Sequence, residues 1–241
     1  MILITSILYG LLPNCLVFYS GGSNIITHSI YTNFLNNFRS TKIYRVPNGN
    51  SPSEVHEMFT ELNNKYNIIA MGHSSGCVKA INNCNPAISK LILLDPVKTP
   101  FLNKKKDLNY LDDILIINAE KSYKWSRIPP FIPFIPAFRL KKSDLSIEQS
   151  KIKEITIKNY GHCDIINNPY RNLMHYSRIS VGHSSRNSKD IYKYHRLLYK
   201  YIMDFIEENP KSLQMGDREQ NVLDVEDIID KFSQDYPIHY Q

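Results

Sequence analysis

Short apolar runs alternate with stretches of helical period along most of this chain, and that alternation sets the expected fold. Cys15–Ser20 (CLVFYS) reads as a strand ending on Gly21-Gly22. From His28 to Arg39, Ile30, Phe34 and Phe38 recur four apart, on one face of a helix. Lys42–Val46 is a short strand. Pro52–Tyr66 is a helix capped by Ser51, with Glu54 at the capping-box spacing. Asn67–Met71 (NIIAM) then reads as strand and Ser75–Asn83 as helix. The strands Lys90–Leu94, Asp113–Ile117 and Lys153–Lys158 follow. Asp190–Glu208 is a long final helix, with Tyr192, Leu197, Tyr201, Met203 and Phe205 among its apolar positions. Strands alternating with helices predict βαβ units. Right-handed crossovers wind such units into an α/β fold, a mostly parallel, doubly wound sheet with helices on both faces.

Two stretches break the rhythm. Residues 122–150 contain Pro129, Pro130, Pro133 and Pro136 among Ile and Phe, which excludes both strand and helix there. They are expected to form an insertion in one domain of residues 1–210. Residues 211–241 are polar and acidic, with one weak amphipathic stretch around Val222–Phe232, and read as a tail. No internal repeat is present. Met1–Leu12 (MILITSILYGLL) is apolar but shorter than the roughly 20 residues that span a bilayer. It lacks a basic start and a clear small-residue cleavage site. It therefore reads as a buried strand, with a signal peptide as the alternative.

Composition narrows the classes further. With 241 residues, 42% hydrophobic and 22% charged, the chain can bury a core without staples and is too apolar for wholesale disorder. Cys15, Cys77, Cys84 and Cys163 form no CxxC pair, so a zinc knuckle or thioredoxin-type site is not expected. A reduced, cytoplasmic setting is the simpler expectation. The formal charge of +6 invites nucleic acid or an anionic membrane. Yet the basic residues are spread along the chain, and the one tight run, Lys104-Lys105-Lys106, falls in a loop. No nucleic-acid-binding motif accompanies it, so nucleic acid is not an expected partner.

The candidate chemistry begins at Gly72-His73-Ser74-Ser75-Gly76, between the NIIAM strand and the next helix. A G-x-S-x-G at a strand-to-helix turn resembles the nucleophile elbow of the α/β-hydrolases. Such a turn strains the serine backbone, and neighbouring elements pass too close for side chains at the flanking glycines. Ser74 is expected at the carboxyl edge of the sheet, over a helix amino end that favours a developing oxyanion. A serine hydroxyl needs a base, and the hydrolase order of Ser, acid, His places that base late. His162, in Asn159-Tyr160-Gly161-His162-Cys163-Asp164, follows the last predicted strand. Other histidines fit less well: His73 is inside the elbow, His28 precedes it, and His175 and His183 lie past the last strand. A second Gly182-His183-Ser184-Ser185 runs into Arg186 and follows no clear strand.

Two carboxylates compete for the acid. After the strand Asp113–Ile117 comes Asn118-Ala119-Glu120-Lys121-Ser122, similar to a hydrolase run that ends in the catalytic aspartate, with Ser122 in that place. One strand earlier, Leu94-Asp95-Pro96-Val97 sets an aspartate at a strand's carboxyl end, where some lipases carry theirs. Asp95 is the first choice and Glu120 the alternative acid.

Three motifs together, GHSSG, LDPV and Tyr160-Gly161-His162-Cys163-Asp164-Ile165-Ile166, resemble the chlorophyllase-like branch of the α/β-hydrolases. The likeness runs from roughly Cys15 to Glu208. It implies a triad of Ser74, Asp95 and His162, and hydrolysis of carboxylic esters through an acyl-enzyme, with no cofactor or metal. The chain departs from that branch at Ser75-Gly76-Cys77, where a charged residue and a second glycine are frequent. A thioesterase or acyltransferase would use the same residues. An inactive α/β-hydrolase-fold binding protein is the rival class, kept open by Ser122 in the usual place of the acid.

The N–H of Ser75 is expected to supply one oxyanion donor, and Gly22 or Ser23 the other, with glycine allowing the backbone a close approach. Residues 125–138 stand between the acid-bearing strands and the histidine and are the expected cover. Trp125, Phe131 and Phe134 would give it an apolar wall for a hydrophobic ester or lipid. A loop packed on the protein's own surface is the other reading. Left exposed, the same patch would dock on a membrane, aided by the positive charge.

Overall fold

A computed structural model describes residues 12–22, 27–47, 49–99, 101–124, 139–176, 188–207 and 222–223. The expected N-terminal strand, the wall residues Trp125, Phe131 and Phe134, the candidate oxyanion residue Ser23, and most of the tail lie outside them. The described strands are β1 (Asn14–Tyr19), β2 (Lys42–Arg45), β3 (Asn67–His73), β4 (Ile88–Leu94), β5 (Asp113–Ala119), β6 (Ile152–Ile157) and β7 (Val222–Leu223). They form one sheet in the order β2-β1-β3-β4-β5-β6-β7, with every neighbouring pair parallel. The fold is α/β.

The chain steps outward from β1 to β2, then returns past β1 and builds the rest of the sheet on the other side. The direction of winding thus reverses between β1 and β3. In open parallel sheets the crevice beyond the strand ends at such a reversal is where ligands bind.

The helices are α1 (Thr32–Leu35), α2 (Pro52–Asn63), α3 (Gly76–Asn83), α4 (Tyr170–Tyr176) and α5 (Ser188–Glu207). Alternate residues of β1 serve opposite layers. Leu16 and Phe18 pack with Phe34 of α1 and with Leu198, Ile202 and Phe205 of α5. Cys15, Val17 and Tyr19 pack with Val55 and Phe59 of α2 and with Ala80 and Ile81 of α3. Because both faces are covered, the central strands are continuous apolar runs.

The expected capping box of α2 is present: Glu54 N–H donates to Ser51 Oγ (3.3 Å) and Ser51 N–H to Glu54 Oε2 (2.6 Å). The single helix expected over 28–39 is instead 3-10 at His28–Tyr31, α at Thr32–Leu35 and 3-10 again at Asn36–Phe38. The Asn37 side-chain amide donates to the carbonyls of Asn33 and Phe34 (both 2.9 Å), competing with regular helix bonds there. Strands β3 and β5 run on to His73 and Ala119, beyond their apolar cores, because parallel pairing with their neighbours continues. Val222–Leu223, within the expected tail, pairs with Thr156–Ile157 at the sheet edge. Among the described residues, no helix is long and apolar enough to cross a membrane.

Candidate active site

Ser74 sits in the tight turn between β3 and α3 with φ 57°, a left-handed conformation that costs a non-glycine residue about 1–3 kcal/mol. Surrounding bonds hold it there. Its N–H donates to Leu94 O (3.0 Å), and its carbonyl accepts from Cys77 N–H (3.1 Å) and Val97 N–H (3.3 Å). The motif's glycines answer to crowding. A Cβ on Gly72 would lie 2.7 Å from Cys77 Cα, and one on Gly76 would lie 2.4 Å from Tyr19 O. Gly21, at the end of β1, is pressed the same way: its Cβ would come within 2.9 Å of Ser74 Cβ. The serine therefore stands beside the end of β1, at the reversal of the sheet.

Asp95 follows β4 directly and is also left-handed, with φ 44°; its N–H donates to Ile117 O (2.6 Å). Its carboxylate accepts three bonds. His162 Nδ1–H and Ser122 Oγ–H both reach Oδ2 at 2.5 Å, and Ala119 N–H reaches Oδ1 at 3.1 Å. Burial alone would raise Asp95. The hydrogen bond and charge of His162, with the bonds from Ser122 and Ala119, outweigh it and hold the carboxyl below the usual range. With Nδ1 engaged, His162 is held in one orientation, buried in a short 3-10 turn, His162–Ile165.

The alternative acid is elsewhere. Glu120 Oε2 accepts the N–H of Asn159 (2.8 Å), in the turn that leads to His162, where Asn159 is itself left-handed at φ 68°. Glu120 thus braces the loop that carries the imidazole.

His73, the variable residue of the elbow, is buried against His162 with ring centroids 4.7 Å apart. Its Nε2 bonds the backbone carbonyl of His162 (3.1 Å) and its Nδ1 bonds the hydroxyl of Tyr31 (2.8 Å). Burial, reinforced by the neighbouring His162, lowers His73 to about 3. Sequence reasoning passed over His73 and Tyr31, and treated Ser122 only as a missing acid. A hydroxyl-bearing residue where a carboxylate was expected was the one signal available for Ser122.

At the candidate oxyanion site, Gly22 has φ 76° and its N–H donates to Ser75 Oγ (2.9 Å). The N–H of Gly21 donates to Tyr31 Oη (3.2 Å). Ser75 caps α3 by position but makes no side-chain cap bond, since its hydroxyl faces the β1 loop.

Behind His162, Asp164 is fully buried. Its Oδ2 accepts Gly161 N–H (2.8 Å), its Oδ1 lies 3.3 Å from His175 Nε2, and its backbone carbonyl accepts His195 Nε2–H (3.1 Å). These contacts tie the histidine loop to α4 and α5. Burial lowers His195 to about 4. Among the described residues, no group of three or more His, Cys, Asp and Glu side chains is arranged to hold a metal ion.

No protein-family model matches the sequence, and no curated protein does. The chain is similar to several solved structures. A YdeN-like hydrolase from Pectobacterium atrosepticum is 13% identical, with a TM-score of 0.41 over 74% of this chain and 96% of that one. The thioesterase domain SrfTE, described as cyclising the lipopeptide antibiotic surfactin, is 8% identical, with a TM-score of 0.41 over 83% of this chain and 94% of its own.

Proposed function

We propose that this protein is a serine hydrolase of the α/β-hydrolase class that cleaves carboxylic esters through an acyl-enzyme. The observation that carries the reading is the His162 Nδ1–Asp95 Oδ2 bond, formed beside a strained serine elbow at the reversal of a parallel sheet. With Nδ1–H directed at a carboxylate, Nε2 of His162 is the basic nitrogen. In this reading Nε2 takes the Ser74 hydroxyl proton as Oγ attacks the ester carbonyl. It returns that proton to the departing alkoxide, and then activates water to release the acid. Asp95 remains ionised and stabilises the imidazolium. Ser75 N–H is one oxyanion donor. Gly22 N–H becomes the second when the oxyanion takes the place of Ser75 Oγ.

The three motifs shared with the chlorophyllase-like branch support an ester, and the apolar composition of residues 125–138 supports a hydrophobic one, with membrane contact through the same segment. Four buried, free cysteines suit a reduced, cytoplasmic setting. A thioesterase or acyltransferase would employ the same groups. The inactive-scaffold reading drew on the absent acid after β5, and it weakens because a carboxylate from β4 meets the imidazole. A fluorophosphonate probe tests the proposal: it should label the wild-type protein and lose its target in Ser74→Ala. Folded wild-type protein that stays unlabelled would overturn it.

A further inference from the structure

We infer that Ser122 is a positioning residue that tunes the Asp95–His162 pair. The inference rests on the hydrolase reading above. Strands β4 and β5 pair in register up to Leu94 and Ile117, and Asp95 N–H continues the pairing onto Ile117 O. The residue just past β4 and the turn just past β5 therefore converge on the same point. That point is Asp95 Oδ2, which accepts from both His162 Nδ1 and Ser122 Oγ at 2.5 Å. Ser122 is itself buried, so its hydroxyl proton has a fixed use.

A hydroxyl donating to the oxygen that grips the imidazole draws charge away from that grip. Without it, Oδ2 carries more negative charge and the imidazolium is held more strongly. Ser122→Ala should therefore move the acid limb of the kcat/KM profile upward, by about one pH unit or less. Ser122→Thr, which keeps the hydroxyl, should leave the limb in place. The other titratable groups around the pair are His73 from β3, Cys77 from α3, Tyr194 from α5 and Asp164 in the loop of His162. None is altered by these substitutions.

A limb that moves in Ser122→Ala and not in Ser122→Thr supports the inference. An unmoved limb in active Ser122→Ala overturns the tuning role. If Ser122→Ala fails to fold, histidine NMR of Ser122→Cys, a weaker donor, decides: a ring titration identical to wild type overturns the tuning role. Both results are read on wild-type protein first shown to label at Ser74, so a failure here stays distinct from failure of the hydrolase reading.

Discussion

The ring of His73 holds the backbone of His162, not its imidazole: Nε2 of His73 lies 3.1 Å from the His162 carbonyl oxygen. A carbonyl only accepts, so that nitrogen carries the proton. Nδ1 must then accept, and the Tyr31 hydroxyl donates to it (2.8 Å) while receiving the N–H of Gly21 (3.2 Å). The direction of every bond is fixed. A single polar strut runs from the end of β1 through α1's approach and the elbow to the loop of the proposed base.

Removing the middle of this strut leaves two buried groups unpaired. Tyr31→Phe deprives Gly21 N–H of its acceptor and His73 Nδ1 of its donor, in a place closed to water. The expected loss of stability is about 1–3 kcal/mol per orphaned group at most, measured as a lower denaturation midpoint at an unchanged slope. A midpoint equal to wild type would show that the strut adds nothing.

The same histidine makes the fold sensitive to acid. His73 is lowered from an ordinary 6.5 to about 3 in the folded chain, so between those values the unfolded chain binds a proton that the folded one does not. Stability is greatest above pH 6.5 and falls as pH drops toward 3, by up to about 1.4 kcal/mol per unit for this group. His195, lowered to about 4, acts in the same direction. Chemical denaturation between pH 7 and pH 4 should therefore slope more steeply for wild type than for His73→Gln, which has no titrating ring. Parallel slopes would refute the assignment.

The sheet and the elbow were legible because they rest on patterns within the chain. Central strands buried on both faces must be apolar throughout, and the crowding around Gly72 and Gly76 is imposed by adjacent backbone. Asp95 and His162 were legible as residues that follow strands, and they bond across 67 positions. Helix α4 was not legible, because it inverts the usual pattern. It buries Arg171 and exposes Tyr170, Leu173 and Tyr176, leaving Met174 as the apolar side chain packed against the core. Nothing in the sequence marks Tyr31, next to Ile30; only tertiary packing shows that its hydroxyl has two partners. Ser122 was hidden for the same reason, since its partner lies on another strand.

Crowding at the elbow gives a prediction independent of catalysis. In Gly76→Ala the new methyl would meet Tyr19 O at 2.4 Å and Ser20 O at 2.5 Å, both backbone atoms that cannot swing aside. The clash should cost at least about 1–3 kcal/mol, the usual range for overpacking, and displace the β1 end from Ser74. Thermal unfolding measures it directly. An unshifted Tm would mean that the β1 and elbow backbones are not in this contact.

Ser75 yields the most direct test of how the site prepares for charge. Its hydroxyl accepts the Gly22 N–H at 2.9 Å, the donor that the proposed oxyanion site would use. If the oxyanion takes over this bond, it must first displace Oγ. Removing Oγ should then strengthen binding of a charged tetrahedral inhibitor, such as a boronic acid on Ser74, by the free energy of one hydrogen bond, roughly two- to tenfold. The same Ser75→Ala protein should bind an uncharged ester analogue as wild type does, since only the charged adduct calls on Gly22. Boronate inhibition weakened by tenfold or more would assign the opposite role: the hydroxyl would be needed to keep the Gly21-Gly22 turn in place, and Gly22 N–H would not be the second donor.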